Sequence, residues 1–536
     1  MKSGLIAALL LGAAGPALAA DAVDRDMVNR IVDTGMNHGE VMNTIAYLSD
    51  RIGGRMTNSP QMRAAEAWTQ GRFNAWGLSN VHPEGFEFGR GWSIDNVSVR
   101  MTSPRTLPLR AIPVAWTPAT AGPLTAPIIV APMRRDRDFD KWRGKLAGKI
   151  VLVTLPDDGS EPDKAPFHRY GDDELRKLDT FDQPNTIDDA TADRRLQLRG
   201  FAVRLDAFLA AEGATAWVRM ARADGGLLHG EGSGYRVGET PTLPGIEIAA
   251  EDYRRLARLA KTDAAPALEI DSQVRFHDGD TKAYNIIADL AGRDPKAGYV
   301  MAGAHLDSWV AADGATDNAA GSAVVMEAAR ILASLGVKPR RTIRFALWSG
   351  EEEGLLGSLA YVQQHLATRP AETDLAKLAG GDRTWARRFP VTPQPGYGEL
   401  AAYFNLDNGS GKIRGIYAEG NAAAAPIFRE WLSPFAGMGA ATVSNGRTGS
   451  TDHVYLQSIG LPGYQFIQDP LDYMNRTHHT NLDTIDHVKA ADLRQAAVIM
   501  ASFLWNAANR DTPLPKMPLP TKPNPTNPFA YPDDDQ

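Results

Sequence analysis

From about residue 280 the chain alternates dense apolar runs with segments whose apolar residues recur every three or four positions. "AGYVMAGAHLD" is a compact apolar run that turns polar at its end. "GSAVVMEAARILASLG" follows, with Val324, Ala328, Ile331 and Leu335 at helical spacing and Gly336 as a stop signal. The alternation continues through the strand "TIRFALW", the helix "LLGSLAYVQQHLA", the strand "LAAYFNLD", a helix around "AAAAPIFREWL", the strand "GLPGYQFI" and the helix "AADLRQAAVIMASFLWNAA". Apolar strands alternating with helices predict an α/β fold with a doubly wound, largely parallel sheet covered on both faces.

Upstream the pattern changes twice. Residues 22–107 carry two amphipathic helices, "HGEVMNTIAYLSDRIGGR" and "SPQMRAAEAWTQGRFNAWGL", then the strand-like "DNVSVRM", and are assigned to the same domain as residues 276–510. Between them, residues 108–275 hold short β runs ("APIIVAP", "GKIVLVTL", "TAWVRM", "LPGIEIA") separated by glycines, with helices such as "FAVRLDAFLAAEG". A charged, loop-like stretch covers roughly 157–200. This predicts a smaller, β-rich domain inserted into the first.

The ends of the chain have their own character. Residues 1–20 read as a signal peptide: Lys2, the apolar core Leu5 to Ala14, and the small-x-small site Ala17-Leu18-Ala19. The expectation is an exported protein, periplasmic or secreted, whose mature chain begins near Ala20 or Asp21. No later run is long and apolar enough to span a bilayer. Residues 511–536 form a proline-rich tail, expected to lie extended on the surface or to be disordered.

Composition narrows the chemistry. A net charge of -7 with no compensating basic stretch argues against nucleic-acid and anionic-membrane partners. The 536 residues contain no cysteine, which removes disulfides, thiolate metal sites and a cysteine nucleophile. Any metal must be held by His, Asp and Glu.

In an open α/β sheet, ligands bind at the carboxyl ends of the strands. There the sequence places His305 and Asp307 ("GAHLDS"), Glu351 and Glu352 ("WSGEEEG"), Asp407 ("NLDNGSG"), Asp317 ("GATDNAAG"), and His478 with His479 ("RTHHTNLDT"). Singly, Asp317 reads as a helix cap, the glutamates as a helix start, and Asp407 as a turn former. Gathered at one edge, the acids would repel one another unless cations neutralised them. Two zinc ions about 3.5–4 Å apart would do so. The expected division gives one ion His305 and Asp407, the other Glu352 and His479, with Asp317 bridging and Asp307 orienting His305. Glu353 is expected to face solvent or the helix start.

The series "GAHLDSW", "GATDNAAG", "RTIRFALWSGEEEGLLGS", "NLDNGSG" and "THHTNLDT" resembles the co-catalytic di-zinc peptidases of metallopeptidase family 28. The short spacing from His305 to Asp317, with "DSW" after the histidine, is most similar to the family's carboxypeptidase Q group. The resemblance implies His305, Asp317, Glu352, Asp407 and His479 as metal ligands. It implies Glu351 as general base and then acid acting with metal-bound water, and Asp307 as the histidine-orienting aspartate. Residues 108–275, with "GKLAGKIVLV" and "LPGIEIAAED", resemble the protease-associated domain found in many members. The chain departs from the pattern where relatives carry a tyrosine before the last histidine ligand: here it is His478, with Tyr473 nearby.

The implied activity is hydrolysis of a peptide bond next to a chain end, or of a dipeptide, by an aminopeptidase, carboxypeptidase or dipeptidase. Arg447, Tyr473, Arg476 and His478 are the candidate substrate contacts. A metal-free, receptor-like binding protein of the same fold and a single-zinc aminoacyl cyclase stand as alternative readings. The sequence leaves the oligomeric state open, a homodimer included.

Overall fold

The computed structural model describes residues 23–179, 189–238, 241–373 and 381–522. Residues 1–20, read from the sequence as a signal peptide, and residues 523–536 of the proline-rich tail lie outside the described residues.

The first of two large sheets has eight strands, in the order Ser79–Glu87, Lys282–Leu290, Thr342–Trp348, Tyr299–His305, Leu400–Asn405, Gly463–Gln468, Ile413–Tyr417 and Thr442–Ser444. Its four central strands, Thr342–Trp348 through Gly463–Gln468, run parallel, and antiparallel pairings join them to the flanking strands. Every residue of Tyr299–His305 is buried, because helices cover both faces. Side chains alternate along that strand: Val300, Ala302 and Ala304 enter the core beneath helices Ala320–Ser334 and Ala490–Asn509. Tyr299 and Met301 enter the opposite core with Tyr361, Trp385 and Tyr455. This is the mixed α/β, largely parallel architecture that the apolar runs predicted.

The second sheet also has eight strands, in the order Leu107–Pro108, Gly91–Ser103, Ala267–His277, Leu124–Val130, Ile150–Leu152, Ala216–Met220, Gly245–Ile248 and Ala111–Pro113. All of them fall in sequence between Ser79–Glu87 and Lys282–Leu290, which pair with each other in the first sheet. The second sheet is thus spliced into a hairpin of the first. An aromatic layer including Phe88, Trp92, Trp116, Tyr235 and Trp309 packs where the two meet.

Three local expectations change. The strand containing "DNVSVRM", Gly91–Ser103, pairs along Ala267–His277 and so belongs to the second sheet. Its alternating pattern suits either sheet, and the long-range partner decides. The stretch 157–200 is not wholly loop-like: helix Asp172–Leu178 lies within it and helix Asp189–Ala211 begins in it. The apolar spacing of that long helix is confined to its second half, where Phe201, Leu205, Phe208 and Leu209 pack under the second sheet. The tail, without helix or strand to residue 522 and exposed at both of its last described residues, is pinned at points along its length rather than only lying on the surface. Leu514 is buried in the main core, and Pro515 O accepts a hydrogen bond from Asn421 Nδ2 at 2.7 Å.

Candidate metal centre

The parallel strands end side by side, so short loops after them deliver polar groups to one edge. His305 is the last residue of its strand, and its carbonyl accepts the Ser322 hydroxyl at 2.6 Å. Its Nε2 lies 3.3 Å from Asp317 Oδ1 and 3.3 Å from Asp407 Oδ1. Its Nδ1 hydrogen-bonds to the Asp307 carbonyl oxygen at 3.0 Å, while the Asp307 carboxylate stands 3.8 Å away. The contact runs through the main chain because that carboxylate has other donors: Thr57 Oγ1 at 3.1 Å and Glu352 N at 3.2 Å.

The loop between His305 and Asp317 is held from below by Arg55, whose side chain is wholly buried. Its guanidinium donates to the carbonyls of Leu306 (2.8 Å), Asp313 (2.7 Å) and Gly314 (2.8 Å), and to Leu48 and Gly53 of its own segment. Burial lowers the guanidinium pKa to about 10 against the pull of Asp483 and Asp307. Gly314 has φ +59°, and a Cβ there would come within 2.3 Å of the Ser308 side chain. A side chain could not be added without moving the loop.

Asp317 sits in the turn that opens helix Ala320–Ser334, with its two oxygens facing opposite ways. Oδ1 faces His305, while Oδ2 lies 3.3 Å from His479 Nε2 and 3.8 Å from His478 Nε2. Asp483 fixes the backbone behind it, accepting from Asp317 N at 3.0 Å, Thr316 N at 2.6 Å and Thr316 Oγ1 at 2.7 Å.

The three consecutive glutamates separate. Glu351 joins His305 and Asp407 in one cluster whose ligand atoms lie within 4.8 Å of one another. Glu352 Oε2 lies 2.9 Å from His479 Nε2. Glu353 does not face solvent: both of its carboxylate oxygens are buried without a hydrogen-bond partner. A turn follows the strand, with Gly354 N and Leu355 N donating to Glu351 O, and it folds Glu353 back toward Thr57 and Asp307. Burial raises the carboxyl pKa of all three, Glu352 to about 7.

His479 arrives from the loop after the strand Gly463–Gln468, with φ +60°. Its Nδ1 hydrogen-bonds to Glu231 Oε1 at 2.6 Å, and Glu231 is part of the segment spliced into the first sheet. Burial would lower the imidazole pKa, but Glu352, Asp317 and Glu231 together hold it far above its usual range. His478 stacks on His479 with ring centroids 3.7 Å apart.

Five separated segments therefore meet, bringing together His305, Asp307, Asp317, Glu351, Glu352, Asp407, His478 and His479. Among the described residues, the ion pairs of Asp317, Glu352 and Asp407 are all to histidines. Asp317 Oδ2 and Glu352 Oε1 are buried without a hydrogen-bond partner. Orphaned buried carboxylate oxygens facing imidazoles are costly unless a cation completes them. Donors held at about 2.0–2.1 Å around a tetrahedral zinc ion lie roughly 3.3 Å apart. The two 3.3 Å contacts of His305 Nε2 match that spacing, so the donor set fits zinc.

The candidate substrate contacts divide. Tyr473 is buried and packs edge-on to His478 at 5.0 Å; burial, then the Asp317, Asp407 and Glu352 charges, raises its phenol pKa. His478 is partly exposed above Asp317. Arg447 and Arg476 are exposed on loops, and Arg447 packs over Gly420.

Sequence reasoning passed over Asp483, Thr57, Arg55 and Glu231. Asp483 stands inside the quoted "THHTNLDT", and Thr57 and Arg55 inside "GGRMTNS", so a motif signal existed for the first only. Nothing marks Glu231, which lies 248 positions from the histidine it contacts.

The chain is similar to known peptidases in sequence and in fold. Residues 285–504 match the model of Peptidase family M28. Carboxypeptidase Q of Bos taurus is 22% identical over 472 residues, covering 88% of this chain and 86% of that protein. The Rattus norvegicus carboxypeptidase Q is 24% identical over 276 residues, 52% of each chain. Among solved structures, a Peptidase M28 precursor from Shewanella amazonensis SB2B superposes with a TM-score of 0.64 at 24% identity, covering 93% of this chain and 99% of that one. BSAP, a zinc aminopeptidase from Bacillus subtilis, gives 0.55 at 20% identity, covering 88% and 95%.

Proposed function

We propose that this chain, which belongs to peptidase family M28 over residues 285–504, is an exported zinc exopeptidase that cleaves the peptide bond at a chain end or in a dipeptide. The observation that carries the reading is Asp317, whose two oxygens are turned to His305 on one side and His479 on the other. Two cations would be held there, one by His305 and Asp407, the other by Glu352 and His479, with Asp317 shared. Zinc bound in this way supplies a Lewis acid that polarises the scissile carbonyl and makes water nucleophilic near neutral pH.

The chain's own groups do the rest. Glu351 is nine-tenths buried beside His305 and Asp407. Burial, with Asp407, Asp452 and Glu352 adding, raises its carboxyl; its place beside His305 and Asp407 supports it as the group that takes a proton from water and returns it to the leaving amine. Asp307 fixes the His305 ring through its carbonyl and receives the Glu352 backbone through its carboxylate. His478 lies 3.8 Å from Asp317 and Tyr473 packs edge-on to His478, and this closeness to the cluster supports a role in substrate contact over that of the exposed Arg447 and Arg476. The inserted protease-associated domain, read from the sequence as residues 108–275, is supported by the contiguous run of second-sheet strands, which begins earlier, at Gly91, and ends at His277. Export rests on the charged start, apolar core and Ala-Leu-Ala site of residues 1–20.

The test joins metal analysis with a panel of peptides bearing free and blocked ends. Two zinc ions per chain and cleavage that depends on one free end are expected. Absence of bound zinc from protein refolded or purified in zinc would overturn the reading in favour of a receptor-like protein.

A further inference from the structure

The His479 ring is held from both sides, and one side belongs to the segment spliced into the first sheet. Its Nε2 faces Glu352 Oε2 at 2.9 Å and Asp317 Oδ2 at 3.3 Å, while its Nδ1 meets Glu231 Oε1 at 2.6 Å. Resting on the zinc site proposed above, we propose that Glu231 is a positioning residue for His479, and that the second sheet is thereby a structural component of the metal centre.

Glu231 is itself locked. Arg222 grips its carboxylate through two bonds, Nη1 to Oε2 at 2.7 Å and Nη2 to Oε1 at 2.9 Å. Its carbonyl accepts Arg219 Nη2 at 2.8 Å, and Arg219 in the strand Ala216–Met220 also pairs with buried Glu247 on the neighbouring strand Gly245–Ile248. Glu247 Oε1 in turn accepts His229 N at 2.6 Å. A continuous polar chain therefore runs from two strands of the second sheet to the imidazole.

A second connection runs beside it. Asn481 N donates to Leu228 O at 2.9 Å, and Leu228 N donates to Asn481 Oδ1 at 2.8 Å. The loop carrying Glu231 is thus joined to the loop carrying His479 at a second point. His479 needs such support: φ +60° is uncommon for a residue with a side chain, and persists where the surroundings over-determine it. A carboxylate on the far nitrogen of a ligating imidazole sets its tautomer, so that Nε2 carries the free lone pair, and fixes the ring plane. His305 obtains the same service from a carbonyl within its own loop. His479 obtains it from 248 residues away.

The experiment compares wild type with Glu231→Met, which keeps side-chain volume without an acceptor, and Glu231→Gln, whose amide oxygen still accepts from Nδ1. Zinc content is measured first, then affinity by chelator competition, then the absorption spectrum of the cobalt-substituted proteins, then kcat and KM. Glu231→Met is expected to keep the wild-type circular dichroism, to bind its weaker metal roughly 10- to 100-fold less tightly, and to show an altered cobalt spectrum. Its kcat should fall with KM little changed, and Glu231→Gln should recover most of the affinity. Glu231→Ala gives the same readings should the methionine variant fail to fold. Wild-type metal affinity and cobalt spectrum in Glu231→Met or Glu231→Ala would overturn the inference while leaving the zinc peptidase intact. A raised KM with unchanged metal affinity would make Glu231 a substrate contact and overturn it likewise. A wild type that takes up no zinc would remove both readings together.

Discussion

Asp483 accepts the backbone N–H of Asp317 at 3.0 Å, and with its other oxygen the N–H and hydroxyl of Thr316. One buried carboxylate thus sets the backbone from which Asp317 faces both histidines. Burial first, and then Asp317, pushes the Asp483 carboxyl up to about 7.

Replacing it should be felt at both levels. Asp483→Ala leaves the N–H groups of Thr316 and Asp317 without an acceptor, while the Thr316 hydroxyl keeps Thr477 Oγ1 at 2.8 Å; unsatisfied buried groups cost about 1–3 kcal/mol each. Urea unfolding of the metal-free protein should show a loss in that range or above it. Zinc competition should show weaker binding, because Asp317 is no longer held between His305 and His479.

Glu351→Gln separates chemistry from metal binding. The side chain keeps its volume but can no longer accept a proton. Metal content is expected to stay at the wild-type value, while kcat drops by roughly 10²–10⁴, the usual contribution of a general base. Turnover at the wild-type rate would assign the proton transfer to another group.

Metal removal should destabilise the fold itself. Glu351, Glu352, Asp317 and Asp407 crowd one sheet edge, and their ion pairs among the described residues are to His305, His478 and His479 alone. A ligand that binds only the folded state at 100 times its Kd adds about 2.7 kcal/mol. Differential scanning calorimetry should therefore show a fall in Tm on adding a chelator, reversed by zinc. An unchanged Tm would mean that the folded chain holds no metal.

Glu66 makes stability depend on pH away from the metal cluster. Burial raises its carboxyl to about 7, against the opposing pull of Arg63. A folded-state pKa above the unfolded value of 4.5 means that the folded chain binds the extra proton. Its contribution is full below pH 4.5 and is lost as pH rises through 7. Glu66→Gln should thus gain stability relative to wild type between those limits, by roughly 1–3 kcal/mol. Urea melts of both proteins at the two ends of the window check the sign.

The first sheet was legible because its strands are buried on both faces, which forces near-continuous apolar runs such as "YVMAGAH" and "TIRFALW". The candidate donors were legible because strand ends deliver them in short motifs. The strand Gly91–Ser103 was misplaced because its half-buried alternation suits any sheet. Glu353 was misread because charge predicts exposure, whereas the turn after the strand buries its carboxylate.

By itself the sequence determined the local chemistry: which residues alternate, where each strand ends, and which side chains stand ready at those ends. These depend on neighbours a few positions apart. Only the tertiary structure decided what those side chains meet. Asp317 faces His305 and His479 because Asp483 and the loop over Arg55 hold its backbone. Glu231 reaches His479 because a whole sheet is spliced into a hairpin of another. Such contacts join positions hundreds of residues apart, where no periodicity or motif carries the information and only the closing of the chain brings the groups within hydrogen-bonding distance.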